Sequence, residues 1–135
     1  MRPAVFDHEL VNELKSIGNQ KSFDFQTISG TTMCANDFYE SQGRLDGAFC
    51  NFTENEKMNY LNSLKDAGVI NIEMEATAFA SMCHYAGIKA AIICVTILDR
   101  LKGDQVYQSK ECLDQLQKRP QRLAVKFIKN RLSIG

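Results

Sequence analysis

The order of hydrophobic and polar positions predicts a strand, a helix and a second strand in direct succession between residues 69 and 98. The stretch from Val69 to Ile72 is rich in β-branched residues, and Gly87 provides a left-handed end for the helix that follows. The apolar positions at helical spacing are Phe79, Met82, Cys83 and Ala86. Residues 90–98 form a continuous apolar run, which is typical of a strand buried on both faces. A βαβ unit with parallel strands is therefore expected.

The chain before this unit begins with an amphipathic helix followed by a strand. Asp7 can cap the helix and Gly18 ends it. The apolar stripe of the helix consists of Leu10, Val11, Leu14 and Ile17. The side chains of residues 23–29 alternate between two faces, and Gly30 follows them, so this segment is predicted to form a strand.

Residues 31–52 are predicted to form a long loop rich in polar and aromatic side chains. Loops of this length are more often functional than structural, so we expect this one to line a pocket. Thr53 and Glu56 then have the spacing of a capping box and open a helix that ends before Gly68. One face of that helix carries Tyr60, Leu61, Leu64 and Ala67.

A second polar loop, residues 99–108, precedes two predicted C-terminal helices. The first starts at Ser109, and Pro120 is predicted to interrupt the path between the two. The side chains that the first is expected to bury are Cys112, Leu113 and Leu116. The last helix carries Leu123, Phe127, Ile128 and Leu132 on one side. Basic residues lie opposite them, which indicates packing rather than contact with nucleic acid.

The composition is that of one small globular domain, and the charge balance favours small-molecule partners. The chain has 135 residues, 44% of them hydrophobic, and 16 basic residues balance 16 acidic ones. It therefore offers no electrostatic footprint for nucleic acid or for a membrane surface. Five widely spaced cysteines without a C-x-x-C pair favour reduced thiols over disulfides or zinc. With no membrane-spanning stretch and no signal-peptide core, we expect a soluble, cytoplasmic protein.

The tripeptide Gln42-Gly43-Arg44 is a candidate for binding a planar polar ligand. The glycine lets the backbone bend, so that an amide and a guanidinium can converge on one ligand. An amide offers a donor and an acceptor, which suits the edge of a pyrimidine, while Arg stabilises negative charge on a departing base. An ordinary polar turn is an equally good interpretation of the spacing alone.

Two acids, Glu73 and Glu75, flank Met74 at the end of the strand, where ligands of open α/β sheets bind. A carboxylate there can accept hydrogen bonds from two neighbouring sugar hydroxyls. Alternatively, Glu75 lies at a helix N-terminus and is stabilised by the helix dipole. Met74 can line the ligand or fill the core. Asp99 and Arg100, just after the apolar run, are also well placed for a site.

No metal site or catalytic triad is predicted. His8 and His84 lie on helical segments without acidic or cysteine partners at ligand spacing. Cys83 and Cys94 fall within the predicted helix and strand, where a thiol is more often a packing group than a nucleophile.

Four segments closely resemble the animal uridine phosphorylases: GTTMCANDFYESQGRLDGAFC (Gly30 to Cys50), NIEMEATAFASMC (Asn71 to Cys83), CVTILDRLKGDQ (Cys94 to Gln105) and QKRPQRL (Gln117 to Leu123). The resemblance implies the nucleoside phosphorylase fold, an αβα sandwich with a mixed sheet and flanking helices. It also implies a homodimer that cleaves uridine, or deoxyuridine, with phosphate as co-substrate and no other cofactor. The products would be uracil and ribose 1-phosphate.

The resemblance also assigns roles to individual residues. Gln42 and Arg44 resemble the uracil-binding pair, and Phe38 the aromatic residue that stacks on the base. The remaining matched positions are Met74 and Glu75 at the ribose, Arg100 at the base loop, and Ile97 with Leu98 as an apolar wall. With Glu73 added from its place beside Glu75, these form the predicted substrate site, and Arg44, Glu75 and Arg100 are its catalytic candidates. Asp99 lies about where related purine phosphorylases place a proton-donating aspartate.

The resemblance covers only the C-terminal half of the family, so residues 1–135 are expected to be a single partial domain. The phosphate-binding loops of the family have no counterpart, and the chain alone is therefore expected to be inactive. A non-catalytic nucleoside-binding subunit that pairs with a full-length phosphorylase is the alternative. The Gln42 and Arg44 pair argues against a third possibility, a hydrolytic nucleosidase.

Overall fold

The computed structural model describes residues 3–133, and these form two compact units. Within that range, the first unit contains residues 3–29, 79–97 and 108–133, and the second contains residues 30–78 and 98–107. The helices are α1 His8–Gly18, α2 Glu54–Asp66, α3 Ala76–Tyr85 and α4 Lys110–Leu132, and the strands are β1 Thr31–Cys34 and β2 Val69–Glu73. The predicted α/β class is confirmed. Among the described residues, none of the helices combines the length and the hydrophobicity that a membrane span requires.

The core of the first unit lies where α1 packs against α4. Asp7 caps α1 as predicted, because its carboxylate accepts a hydrogen bond from the Leu10 backbone N–H at 2.8 Å. Leu14 and Ile17 on α1 pack with Leu123 of α4, whose side chain is almost fully buried. The predicted amphipathic stripe of α1 therefore faces the core.

The prediction that Pro120 separates two C-terminal helices is wrong. Helix α4 begins after the cap residue Ser109 and continues through Pro120 to Leu132. Proline removes one backbone donor, but its φ is compatible with a helix. Burial of Leu123, one turn after Pro120, favours continuation of the helix. Cys112, expected to be buried, is exposed.

The prediction of a strand over residues 23–29 is also wrong, because the backbone of this segment finds another partner. The Asn19 side-chain amide donates to the Thr27 carbonyl at 2.8 Å, and its oxygen accepts the Thr27 N–H at 3.0 Å. One side chain therefore satisfies both polar groups of Thr27 without a neighbouring strand.

The parallel strand pair of the second unit is β1 with β2, joined through α2. Thr32, Met33 and Cys34 of β1 lie opposite Asn71, Ile72 and Glu73 of β2. The prediction that residues 31–52 are entirely loop is therefore wrong for residues 31–34. The predicted capping box is confirmed, since Thr53 and Glu56 hydrogen bond reciprocally at the start of α2. Helix α2 packs against β2 and buries Leu61.

The predicted βαβ unit forms only in its first two elements. Strand β2 and helix α3 are present, and Gly87 has the predicted left-handed φ of 69°. Residues 90–98, expected to be a buried strand, do not form a strand within the described chain. A strand needs a hydrogen-bonded neighbour as well as an apolar sequence. No strand of the described chain pairs with this segment, which is partly exposed, with Ile97 exposed by 39%.

Candidate functional site

The tripeptide Gln42-Gly43-Arg44 forms a buried turn rather than an ordinary surface turn. A short 3-10 helix, Glu40–Gln42, ends at Gly43, whose φ of 64° is left-handed. The Gly43 N–H donates to the Glu40 carbonyl and the Arg44 N–H to the Tyr39 carbonyl, each at 2.9 Å. Gln42 and Arg44 are both only 8% exposed. An amide and a guanidinium are therefore fixed on either side of one glycine.

Hydrogen bonds from α2 and from the preceding loop hold this turn in place. The Tyr60 hydroxyl on α2 donates to the Ser41 carbonyl at 2.9 Å. The Asp37 carboxylate accepts the backbone N–H groups of Tyr39 at 2.7 Å and Ser41 at 3.0 Å. The Ser41 hydrogen bonds hold the pKa of Asp37 below its usual value, so this support is ionised at neutral pH.

Replacing Gly43 with alanine is expected to destabilise the protein more than replacing Gly68 with alanine. Both glycines have positive φ, so both substitutions carry backbone strain of about 1–2 kcal/mol. A Cβ at Gly43 would lie 2.9 Å from the Tyr60 ring, whereas a Cβ at Gly68 would meet nothing within 4 Å. Thermal unfolding of both variants measures the difference. Equal losses of stability would show that the contact between Gly43 and Tyr60 imposes no constraint.

The Arg44 guanidinium is oriented by two hydrogen bonds to Asp46. Nε donates to Oδ1 at 2.9 Å and Nη2 to Oδ2 at 2.7 Å, so Asp46 leaves Nη1 unused. Hydrogen bonding to Asp46 raises the pKa of Arg44 and lowers that of Asp46. The Phe38 ring lies 4.5 Å from the guanidinium carbon, within the range of a cation–π contact, and the side chain is half exposed. The guanidinium is thus preorganised beside an accessible aromatic ring.

The Asp104 carboxylate joins three parts of the second unit. Its Oδ1 accepts hydrogen bonds from Lys57 at 2.8 Å and from Arg100 at 2.9 Å. Its Oδ2 accepts the Leu45 backbone N–H at 3.1 Å. Burial opposes ionisation, but the hydrogen bonds from Lys57, Leu45 and Arg100 outweigh it and lower the pKa of Asp104. An ionised, largely buried Asp104 therefore connects α2, the loop after Leu98 and the Gln42–Arg44 turn.

At the end of β2, Glu73 and not Glu75 bonds the start of α3. Oε2 of Glu73 accepts the backbone N–H groups of Glu75 at 2.8 Å and Ala76 at 2.7 Å. Oε1 of Glu73 is buried without a hydrogen-bond partner among the described residues. The Glu75 side chain is exposed and, among the described residues, accepts only a longer bond, 3.3 Å, from the Met74 N–H. Stabilisation of the helix start, which the sequence left open for Glu75, thus falls mainly on Glu73.

The family relationship follows from the sequence profile of the phosphorylase superfamily, which matches residues 1–129. The chain belongs to the phosphorylase superfamily. Uridine phosphorylase 1 of Mus musculus is 49% identical over 132 residues, covering 98% of this chain and 42% of the relative. The inactive uridine phosphorylase B of Schistosoma mansoni is 38% identical over 128 residues, covering 95% and 43%. The chain thus spans about two fifths of the length of the curated relatives it matches.

A solved uridine phosphorylase structure is similar to this chain. The crystal structure of Schistosoma mansoni uridine phosphorylase in complex with 5-fluorouracil superposes with a TM-score of 0.94 at 40% identity. The match covers 98% of this chain and 46% of that chain. The predicted relationship to uridine phosphorylases is confirmed.

The remaining predicted site residues of this superfamily member are distributed over both compact units. Leu98 and Arg100 belong to the second unit with Gln42 and Arg44, whereas Ile97 belongs to the first. Nη1 of Arg100 is buried and has no hydrogen-bond partner among the described residues. Met74 is 36% exposed and is therefore open to a ligand.

Asp99 is poorly suited to donate a proton. It is exposed and forms an ion pair with Lys102 at 3.1 Å. The hydrogen bond from Lys102 lowers the pKa of Asp99, so its carboxyl group is ionised at neutral pH.

Sequence reasoning missed Asp46, Lys57, Asp104 and Gln105, the polar residues that support the turn. Asp46 had a local signal, since it lies two residues after Arg44. The described residues contain no cluster of three or more His, Cys, Asp or Glu side chains that could hold a metal ion.

Proposed function

We propose that this chain provides the base- and ribose-binding part of a uridine phosphorylase, which cleaves uridine with phosphate to uracil and ribose 1-phosphate. The observation that carries the proposal is the buried turn that fixes the Gln42 amide next to an Arg44 guanidinium held by Asp46. The mouse and schistosome relatives named uridine phosphorylase support the same reaction. Deoxyuridine is a second expected substrate.

The groups around the turn suit a pyrimidine that leaves as an anion. The Gln42 amide can pair with an adjacent N–H and carbonyl of uracil, and Nη1 of Arg44 can donate to a uracil oxygen. Around the turn lie three cations, Arg44, Lys57 and Arg100, and three carboxylates, Asp37, Asp46 and Asp104, so the charges of these six groups balance. The Arg44 guanidinium is a preorganised charged donor, and such a donor stabilises negative charge that develops on the departing base.

The acids after β2 supply the ribose contacts in this proposal. Glu75 is exposed and can accept hydrogen bonds from ribose hydroxyls. Glu73 is a second candidate acceptor through Oε1, which is buried and has no hydrogen-bond partner among the described residues. Met74 lies between the two acids as an apolar surface. Phe38, half exposed, can stack on the base while its ring also contacts Arg44.

Phosphate is the co-substrate, and we assign no residue of this chain to it. The matched relatives are more than twice as long as the aligned region, and we propose that their remaining part corresponds to the phosphate-binding half. In this proposal the complete enzyme is a cytoplasmic homodimer, and its two substrates meet only when both halves are present.

The proposal predicts that the 135-residue chain alone does not release uracil from uridine, whereas a chimaera does. In the chimaera, these residues replace the matching segment of mouse uridine phosphorylase 1. Positioning phosphate against ribose supplies much of the catalysis, so restoring that half should restore turnover. Uracil release would be measured with and without phosphate. Phosphate-independent release would indicate hydrolysis, and an inactive chimaera would contradict the proposal.

A second candidate, a non-catalytic nucleoside-binding subunit of a full-length phosphorylase, is favoured by one relative. The schistosome protein that is 38% identical is named as inactive. Under this alternative, the chain binds uracil and associates with a full-length uridine phosphorylase, but the chimaera stays inactive. Co-purification with the full-length partner, together with a uracil titration of the chain, distinguishes the two candidates.

A further inference from the structure

Two adjacent residues of the loop after Leu98 hold two adjacent residues of the turn that carries Arg44. Asp104 accepts the Leu45 backbone N–H at 3.1 Å through Oδ2. The Gln105 side chain donates to Oδ2 of Asp46 at 2.6 Å. Each contact joins positions 59 residues apart in the chain. We refer to residues 42–46 as the 42–46 turn.

The Asp104 carboxylate is largely buried and lies between two largely buried cations. Its side chain is 10% exposed, and those of Lys57 and Arg100 are 6% and 13% exposed. A charge in such surroundings needs a charged partner, and Asp104 has two on Oδ1. Its second oxygen is thereby left for the Leu45 backbone, so the ion pairs on one oxygen fix the bond made by the other.

The same loop reaches Arg44 by a second route. Gln105 and Arg44 both donate to the Asp46 carboxylate, which therefore connects the loop to the guanidinium. Asp104 thus holds the backbone at Leu45, and the next residue, Gln105, helps to orient the Arg44 side chain through Asp46. A change at Asp104 should thus move the 42–46 turn without removing any group that faces the base.

We propose that Asp104 is a positioning residue for pyrimidine recognition, which holds the 42–46 turn so that Gln42 and Arg44 meet the base in a fixed geometry. The inference rests on the proposed function and deepens it, since it names what sets the geometry of base binding. Lys57 acts as the buried counterion that keeps Asp104 in place. Asp104 acts through the turn and is not itself a base contact.

The decisive substitution is Asp104→Asn, which keeps the shape of the side chain and removes its charge. Amide hydrogen exchange of Leu45 should accelerate, and the Kd of the 135-residue chain for uracil should rise, each by about tenfold or more, since a hydrogen bond to a charged group is weakened. Both quantities can be followed by NMR, the second by titration with uracil. The Ala35 amide, bonded to the Glu73 carbonyl in the same unit at 2.8 Å, reports whether the change is local.

Two further variants provide the controls. Asp24→Asn removes an aspartate that pairs with Arg122 at 2.7 Å in the first unit, and it should change neither Leu45 exchange nor uracil affinity. Lys57→Met removes the counterion but keeps the carboxylate that accepts the Leu45 N–H. Lys57→Met should accelerate Leu45 exchange and raise the Kd for uracil, each by less than Asp104→Asn does. If Asp104→Asn does not fold, the Lys57→Met measurements test the positioning role instead.

The outcomes separate this inference from the proposed function. Faster Leu45 exchange with weaker uracil binding and an unchanged Ala35 amide supports the positioning role. Unchanged Leu45 exchange, or faster exchange with unchanged uracil affinity, overturns it. Failure of the unsubstituted chain to respond to uracil counts against the proposed function, whereas the Leu45 measurement still tests the hold of Asp104 on the turn.

Discussion

Replacing Arg44 with alanine is expected to lower kcat/KM for uridine in the chimaera by about 100- to 1,000-fold, the loss typical of removing a donor aimed at developing negative charge. The residue is 8% exposed, and Asp46 fixes its guanidinium through two hydrogen bonds. Such a donor needs little reorganisation when the base departs. Initial rates of uracil release at saturating phosphate would measure the effect.

Two variants separate the charge of Arg44 from its geometry. Arg44→Lys keeps the positive charge but cannot form two parallel hydrogen bonds to Asp46, so it should recover only part of the lost activity. Arg122→Ala removes an exposed arginine that also pairs with an aspartate, and it should leave kcat/KM unchanged. A value for Arg44→Ala close to that of the unsubstituted chimaera would show that the turn is only structural.

The part of the candidate site that the sequence indicated consists of residues that are close together in the chain. Gln42 and Arg44 stand on either side of a glycine, and their chemistry can be recognised without knowing the fold. Asp104 and Gln105 reach the same turn from 59 residues away, so no local pattern indicates them. The residues that could contact the ligand were therefore predictable, whereas those that hold them were not.

The same distinction explains which secondary structure was predicted correctly. The starts of α1, α2 and α4 depend on Asp7, Thr53 and Ser109, each of which bonds a backbone N–H three residues later. These signals are local, and all three starts were predicted. Pro120 misled the prediction inside α4, because a local helix breaker was outweighed by packing of the helix.

Strands depend on distant partners, and the errors in strand prediction follow from that. Residues 31–34 form a strand because β2 lies beside them, although their own sequence resembled a loop. Residues 23–29 begin with the alternation of apolar and polar side chains that a strand would have, yet the Asn19 side chain hydrogen bonds to both backbone groups of Thr27. Residues 90–98 are apolar enough for a buried strand but do not form one in the described structure. The pattern of apolar residues alone therefore does not determine which segments of this chain form strands.

The two acids after β2 differ in their hydrogen bonds, which separates support of the helix from binding of the sugar. Oε2 of Glu73 accepts two N–H groups at the start of α3, while its Oε1 is unpartnered among the described residues. Within the described structure, the Glu75 carboxylate accepts only one long bond, 3.3 Å, from the adjacent Met74 N–H. Removing charge at Glu73 should therefore affect both stability and catalysis, whereas at Glu75 it should affect catalysis alone.

In the chimaera, Glu75→Gln is expected to lower kcat/KM for uridine about 10- to 100-fold, since hydrogen bonds from ribose hydroxyls to a charged acceptor are weakened. The loss for deoxyuridine should be smaller, because that substrate lacks one hydroxyl. The midpoint of thermal unfolding should hardly change. Glu73→Gln, the matched substitution, should lower the free energy of unfolding by about 1 kcal/mol through weaker bonding at the start of α3.

Comparing the two substrates and the two variants tests the assignment directly. If Glu75 bonds directly to the hydroxyl that deoxyuridine lacks, Glu75→Gln must lower kcat/KM for uridine by a larger factor than kcat/KM for deoxyuridine. Equal proportional losses for the two substrates would remove that bond from the proposal. A fall in stability for Glu75→Gln as large as that for Glu73→Gln would show instead that Glu75 mainly supports α3. Removing the charge of a carboxylate can change the preference for uridine over deoxyuridine without loss of stability only if that carboxylate is exposed and does not support the start of α3. Of the two acids, Glu75 fits this description.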